Sequence, residues 1–168
     1  MNTILLVDDS KEFRDTMKAV LEAEGWKTLS VGTGSAALET VQRERVDVVL
    51  LDFKLPHQNG LVVLEQLKKS DPKLPVIMLT AFGEVSIAVE AMKKGALDYL
   101  TKTADPDEVL VRVRKALDLR ALSQEADVLR TLAKKDGGPV LVAQSPVMQQ
   151  VVEHIRRVAS TDLTVMIT

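Results

Sequence analysis

The chain has 168 residues, 46% of them hydrophobic, enough apolar material for one full domain and a remainder. Its formal net charge of −2 argues against a nucleic-acid-binding domain, which carries a basic face, and the absence of cysteine excludes disulfides and thiolate metal sites and suits a reducing compartment. No run nears the ~18 apolar residues of a spanning helix and the start has no basic n-region, so the expectation is a soluble, cytoplasmic protein without a membrane partner.

Short apolar runs rich in β-branched residues alternate with stretches of helical period. The first run is Thr3–Val7, followed by a helical stretch near 11–24 with Gly25 as its stop. Run 28–31 precedes a helix near 34–44, run 47–51 one near 59–69, and run 75–79 one near 84–94, with Gly95 as its stop. Run 96–100 closes the series. Val48-Val49-Leu50-Leu51 does not alternate, which predicts strands covered on both faces, as in a parallel sheet. The series predicts an α/β fold: a doubly wound, five-stranded parallel sheet of flavodoxin-like order 2-1-3-4-5, with its functional crevice outside the carboxyl ends of the strands.

Residues 106–133 read as one long helix without internal Gly or Pro, roughly 42 Å at the α-helical rise. Its second half projects in this reading, and Leu119, Leu122, Ala126, Leu129 and Ala133 recur at the 3-4 spacing of a short coiled-coil seam. Lys-Lys-Asp-Gly-Gly-Pro at 134–139 reads as a linker. Ser145 and Pro146 then open a further helix with Val147, Val151, Ile155 and Val158 on one face. The chain stops inside an apolar, strand-like run at 163–168, which reads as a truncation.

Polar residues terminate the apolar runs: Asp8 and Asp9 after the first, Asp52 after the third, Thr80 after the fourth and Lys102 after the fifth. The sheet order brings them to one edge. Three carboxylates placed together repel unless a cation sits among them, and a hard divalent ion, Mg²⁺, fits oxygen ligands best. Lys102 adds an ammonium and Thr80 a hydroxyl, completing what phosphoryl transfer needs: a carboxylate nucleophile and neutralisation of the equatorial oxygens. Each residue alone has a plainer reading. Asp9 with Glu12 fits a helix-capping box, Asp52 could be a loop carboxylate before turns at Pro56 and Asn59-Gly60, and a lone Thr80 or Lys102 is usually structural or solvated. The set, not its members, carries the argument.

Residues 1–120 resemble the receiver domains of two-component response regulators, through Ile4-Leu-Leu-Val-Asp-Asp9, Val48-Val-Leu-Leu-Asp52 with Pro56 and Gly60, Val76-Ile-Met-Leu-Thr80-Ala81, and Gly95-Ala-Leu-Asp-Tyr-Leu-Thr-Lys102. The resemblance implies that Asp52 takes a phosphoryl group from a histidine kinase. It implies Mg²⁺ held by Asp9, Asp52 and the Lys54 carbonyl, with Asp8 assisting through water. It also implies Thr80 and Tyr99 as switch residues, Lys102 as the phosphate's partner, and an output face near 84–117. Two positions depart from the family. Thr103 stands where proline usually follows the lysine, often with a cis bond, and predicts a trans bond here. Asn59 replaces a frequent Asp, a mild change in an Asn-Gly turn. Phe82, beside the water path by resemblance, is expected to slow hydrolysis of the phosphoryl group.

Residues 141–168 resemble the opening of the AAA+ ATPase domain of sigma-54-dependent, NtrC-type activators. No G-x-x-x-x-G-K-[ST] loop is present, so this chain is not expected to bind or hydrolyse ATP. The expected organisation is a receiver at 1–120, a coiled-coil-like linker at 121–139 and the start of an AAA+ domain at 140–168. The linker helix, and the 84–117 face, would join two protomers. Sigma-54 RNA polymerase and DNA would be reached only through domains absent here. The chain is then a regulatory fragment rather than an enzyme, beyond Mg²⁺-assisted self-phosphorylation and autodephosphorylation. One rival is a metal-dependent phosphatase, but Asp-Phe-Lys at 52–54 lacks the second aspartate that would serve as general acid. The other is a phosphorylation-independent dimerisation module, which Thr103 keeps open. His57 and His154 read as surface residues, Met78, Met92 and Met148 as packing residues, and Trp26 as partly exposed.

Overall fold

A computed structural model of the chain describes residues 1–56, 58–81 and 85–135, the last with side chains at 87–131. The readings of His57, Phe82, Met148, His154 and of everything from 136 onward lie outside the described residues. Residues Met1–Glu125 form one compact unit. Its elements are β1 (Thr3–Val7), α1 (Lys11–Ala23), β2 (Lys27–Val31), α2 (Gly34–Arg43), β3 (Val48–Asp52), β4 (Lys54–Leu55), β5 (Gln58–Asn59), α3 (Gly60–Ser70), β6 (Val76–Thr80), α4 (Val85–Lys93), β7 (Asp98–Thr101) and α5 (Pro106–Lys135).

The main sheet is parallel throughout, in the order β2-β1-β3-β6-β7. With the short β4 and β5 set aside, this is the expected 2-1-3-4-5 order. All residues of β1, β3 and β6 are buried because both faces of the sheet are covered. Ile4, Leu6, Val48, Leu50, Ile77 and Leu79 pack with Met17 and Leu21 of α1 and Val109, Val113 and Ala116 of α5. The alternate residues Leu5, Val7, Val49, Leu51, Val76 and Met78 pack with Ala37 of α2, Val63, Leu64 and Leu67 of α3, and Ala91 of α4. Each fully buried leucine contributes about 1.5–3 kcal/mol relative to exposure, so the apolar runs fix both strand position and register.

The strand ends differ from the sequence reading by one or two residues. β3 includes Asp52 and β6 includes Thr80, because Asp52 is in register with Leu79 and Thr80 with Thr101. β7 begins at Asp98 rather than residue 96, since the N–H of Ala96 still bonds to the Ala91 carbonyl in the exit from α4. Gly25 and Gly95 do end their helices, at φ of 79° and 93°. Among the described residues there is no cis peptide bond, so Lys102–Thr103 is trans, and no helix is long and apolar enough to cross a membrane. Trp26 is partly buried, as expected. Met92 is 49% exposed: it faces away from the sheet, and its reading as a packing residue is corrected.

Helix α5 is anchored by Val109, Val113, Ala116 and Leu117, all buried, and by ion pairs that include one from Arg114 to Glu24 just after α1. Arg112 lies 2.8 Å from Asp98, and Arg120 2.6 Å from Asp71 in the loop after α3. Burial alone would raise the Asp71 carboxyl, but Arg120 and the N–H groups of Lys73 and Leu74 outweigh it and hold it below its usual value. A depressed native carboxyl stabilises the fold above the unfolded pKa, and that contribution is lost as pH falls through the native value. Asp71→Asn should therefore cost about 1 kcal/mol at neutral pH, a figure discounted for the pair's partial exposure. Urea denaturation should show the difference from wild type closing on acidification below the ordinary carboxylate range.

Candidate functional site

Adjacent β1 and β3 are continued by chain that leaves the sheet on opposite faces, to α1 on one and α3 on the other, which opens a crevice at their carboxyl ends. Asp8 follows β1 directly and is fully buried, and Asp52, the last residue of β3, is 2% exposed. Asp9 is exposed at the crevice rim. Carboxylate oxygens of Asp8, Asp9 and Asp52 all lie within 4.8 Å of one another. Thr80, buried, ends β6, and Lys102 follows β7, its N–H donating to the Thr80 carbonyl at 2.7 Å. Asp8, Asp9, Asp52, Thr80 and Lys102 are thus brought together as expected. Tyr99, half-buried in β7, packs against the core layer that also holds Phe53.

The Lys102 ammonium bridges the two buried acids, 2.8 Å from Asp52 Oδ2 and 2.6 Å from Asp8 Oδ2. It also sits 5.2 Å from the centroid of the Phe13 ring in the first turn of α1, a cation–π contact that had no signature in the sequence. Burial alone would lower the ammonium's pKa, but Asp52 and Asp8 outweigh it and hold it above its usual value. Burial is the main influence on Asp52 and raises its carboxyl, against the opposing pull of Lys102 and the Lys54 N–H. That N–H donates to Asp52 Oδ1 at 3.1 Å.

Two local features decide what these acids can do. The N-cap of α1 is Ser10, whose hydroxyl accepts from the Phe13 N–H at 3.3 Å. The capping-box reading of Asp9 therefore falls, and its carboxylate is left for the crevice. Asn59 caps α3 by accepting from the Leu61 N–H at 2.9 Å, and pairs with Lys54 across the β4–β5 ladder. This small hairpin holds the segment after Asp52 and was not foreseen.

The residues fit a divalent cation. Among the described residues, Asp8 Oδ2 is buried without a hydrogen bond and is met by the Lys102 ammonium alone, as an ion pair. Three carboxylates and one ammonium leave two uncompensated negative charges in a partly buried pocket. Ligand oxygens about 2.1 Å from Mg²⁺ can stand at most about 4.2 Å apart, so the triad needs only slight closure.

Fold and crevice together define a doubly wound α/β domain with an acidic, lysine-bridged pocket at its switch point. Residues 4–114 match the response regulator receiver domain, and the chain belongs to that family. Receiver domains of this family bind Mg²⁺ through acidic residues, work with histidine kinases and often dimerise. Over 164 residues the chain is 36% identical to the alginate biosynthesis transcriptional regulatory protein AlgB of Pseudomonas aeruginosa, covering 98% of this chain and 36% of that protein. The crystal structure of NtrX from Brucella abortus superposes with a TM-score of 0.73 at 34% identity, over 96% of this chain and 35% of that one. A CheY-like receiver domain from Methanospirillum hungatei superposes with a TM-score of 0.70 at 29% identity, over 73% of this chain and 98% of that one. The similarity to sigma-54-dependent, NtrC-type regulators thus runs through nearly the whole chain, which spans about a third of their length.

Proposed function

We propose that this is a cytoplasmic protein in which Asp52 accepts a phosphoryl group from the phosphohistidine of a cognate histidine kinase, and that the resulting charge change controls a sigma-54 activator. The observation that carries this reading is the buried Asp8–Lys102–Asp52 bridge beside Asp9, where the nucleophile, a cation site and a fixed ammonium share one crevice. An Asp52 oxygen attacks phosphorus in line. The phosphorus–nitrogen bond breaks with its electron pair leaving on the imidazole, and an acyl phosphate forms on Asp52. Asp9, Asp52 and the Lys54 carbonyl would hold Mg²⁺, with Asp8 acting through water. When bound, the ion supplies positive charge to the phosphoryl oxygens. Lys102 exchanges a carboxylate partner for the phosphoryl group, Thr80 donates its hydroxyl to it, and Tyr99 moves inward behind Thr80.

The readout proposed for this switch is the arrangement of two protomers. Leu119, Leu122 and Leu129 of α5 are 42%, 62% and 60% exposed, as a coiled-coil face without its partner would be. The receiver at 1–120 and linker at 121–139 would pass the signal to an AAA+ domain beginning near 140, and through it to sigma-54 RNA polymerase and DNA. The chain's own chemistry is limited to self-phosphorylation and autodephosphorylation.

Incubation with Mg²⁺ and a small acyl-phosphate donor should give one phosphoryl adduct by intact mass on wild type and none on Asp52→Ala. Chelation of Mg²⁺ should abolish the wild-type adduct. A folded wild-type protein that takes no phosphoryl group would sink the reading and favour a structural dimerisation module.

A further inference from the structure

The segment between β1 and α1 must aim Asp8 inward and Asp9 at the rim within two residues, and its donors are held locally. The Asp8 N–H bonds to the Val31 carbonyl at 3.1 Å and the Ser10 N–H to Asp8 Oδ1 at 2.9 Å. Its carbonyls are met by a side chain. Arg14, in the second turn of α1, donates from the same Nη1 to the Asp8 carbonyl at 2.6 Å and the Asp9 carbonyl at 3.0 Å. The slot holding this guanidinium is closed from the β2–α2 side by Gly32, where an added Cβ would lie 3.2 Å from Nη1 and 3.8 Å from the Asp8 carbonyl oxygen.

We infer that Arg14 is a positioning residue for the cation site: it ties the two carbonyls so that the Asp8 and Asp9 carboxylates present one preorganised ligand edge. A charge-assisted donor shared by consecutive carbonyls fixes the turn between them, and with it the relative direction of the two side chains. Groups that orient ligands in this way typically govern metal affinity by ~10–100-fold. The inference rests on the proposed cation-dependent function, but it is read separately from it. It also has a sign. Were Arg14 merely a nearby positive charge, its removal would tighten Mg²⁺ binding, because a like charge would be gone. As a clamp, its removal weakens binding.

Calorimetric titration with Mg²⁺ alone should show Arg14→Met weakened by ~10–100-fold, with most of the loss recovered in Arg14→Lys, whose ammonium can still donate to carbonyls. Gly32→Ala, whose Cβ would press on Arg14 Nη1 from 3.2 Å while leaving the arginine in place, should weaken Mg²⁺ binding by a smaller factor. In metal-free protein, hydrogen exchange of the 8–14 segment should speed up in Arg14→Met while that of β3 and β6 stays unchanged. Mg²⁺ affinity that is equal or tighter in folded Arg14→Met overturns the inference, as does unchanged exchange at 8–14. A wild type that binds Mg²⁺ in this Arg14-dependent way yet never takes a phosphoryl group supports the inference and removes the proposed function instead.

Discussion

Replacing Gly60 with alanine is expected to cost about 3 kcal/mol in chemical denaturation and to slow phosphoryl transfer at Asp52 by about 100-fold. Gly60 is the first residue of α3, and its N–H donates to the Phe53 carbonyl at 2.8 Å. A Cβ there would fall 2.2 Å from the Asp52 carbonyl oxygen, 2.9 Å from Phe53 Cα and 3.0 Å from the Phe53 carbonyl oxygen. All three are main-chain atoms, so no flexible side chain can yield. Either α3 lifts off the sheet or the end of β3 shifts, and both move the Asp52 carboxylate. Gly25→Ala is the natural control: φ is 79° but nothing lies within 4 Å, so only the left-handed backbone is penalised, by about 1–2 kcal/mol. A Gly60→Ala protein as stable as the control, with phosphoryl transfer intact, would show that α3 tolerates displacement and that its seat does not position Asp52.

Lys102→Met should destabilise the metal-free protein by about 3 kcal/mol, because it leaves two buried carboxylates facing each other without their shared cation. The Asp8 side chain is fully buried and that of Asp52 is 3% exposed, so solvent cannot compensate. The loss should shrink on acidification. Burial already raises the Asp52 carboxyl, and removing the ammonium raises it further. A native carboxyl raised above its unfolded value takes up a proton first, so stability is regained as pH falls through the raised value. Added Mg²⁺ should stabilise the variant more than it does wild type, since the ion then carries the neutralisation alone. Equal stability of Lys102→Met and wild type in chelator at neutral pH would mean that the acids are solvated or protonated rather than bridged.

β1, β3 and β6 were legible because each is a short apolar run buried on both faces, whereas the partly buried edge strands β2 and β7 were legible from their place in the alternating series. Asp8, Asp9, Asp52, Thr80 and Lys102 were legible through topology, since a doubly wound sheet collects whatever polar residues close its strands. Asp9 was ambiguous because two capping residues stand side by side. Only the observed bond from the Phe13 N–H to Ser10 assigns the cap and frees the aspartate. The β4–β5 ladder is two residues a side, too short for any periodic signal. Phe13 and Arg14 act at the site through contacts with Lys102 and with main-chain carbonyls, and neither contact leaves a pattern of spacing in the sequence. Met92 was misread because an apolar residue in a helix is assigned to the core unless the geometry of the neighbouring strands is known.

The central claim, that this crevice delivers a phosphoryl group to Asp52, is tested most directly by locating the group. After reaction with an acyl-phosphate donor and Mg²⁺, borohydride reduces an aspartyl phosphate to homoserine, and peptide sequencing by mass spectrometry then reads the position. Homoserine at residue 52 alone is the expected result. Homoserine at Asp8 or Asp9, or a phosphoryl group retained on another residue with Asp52 unmodified, would contradict it.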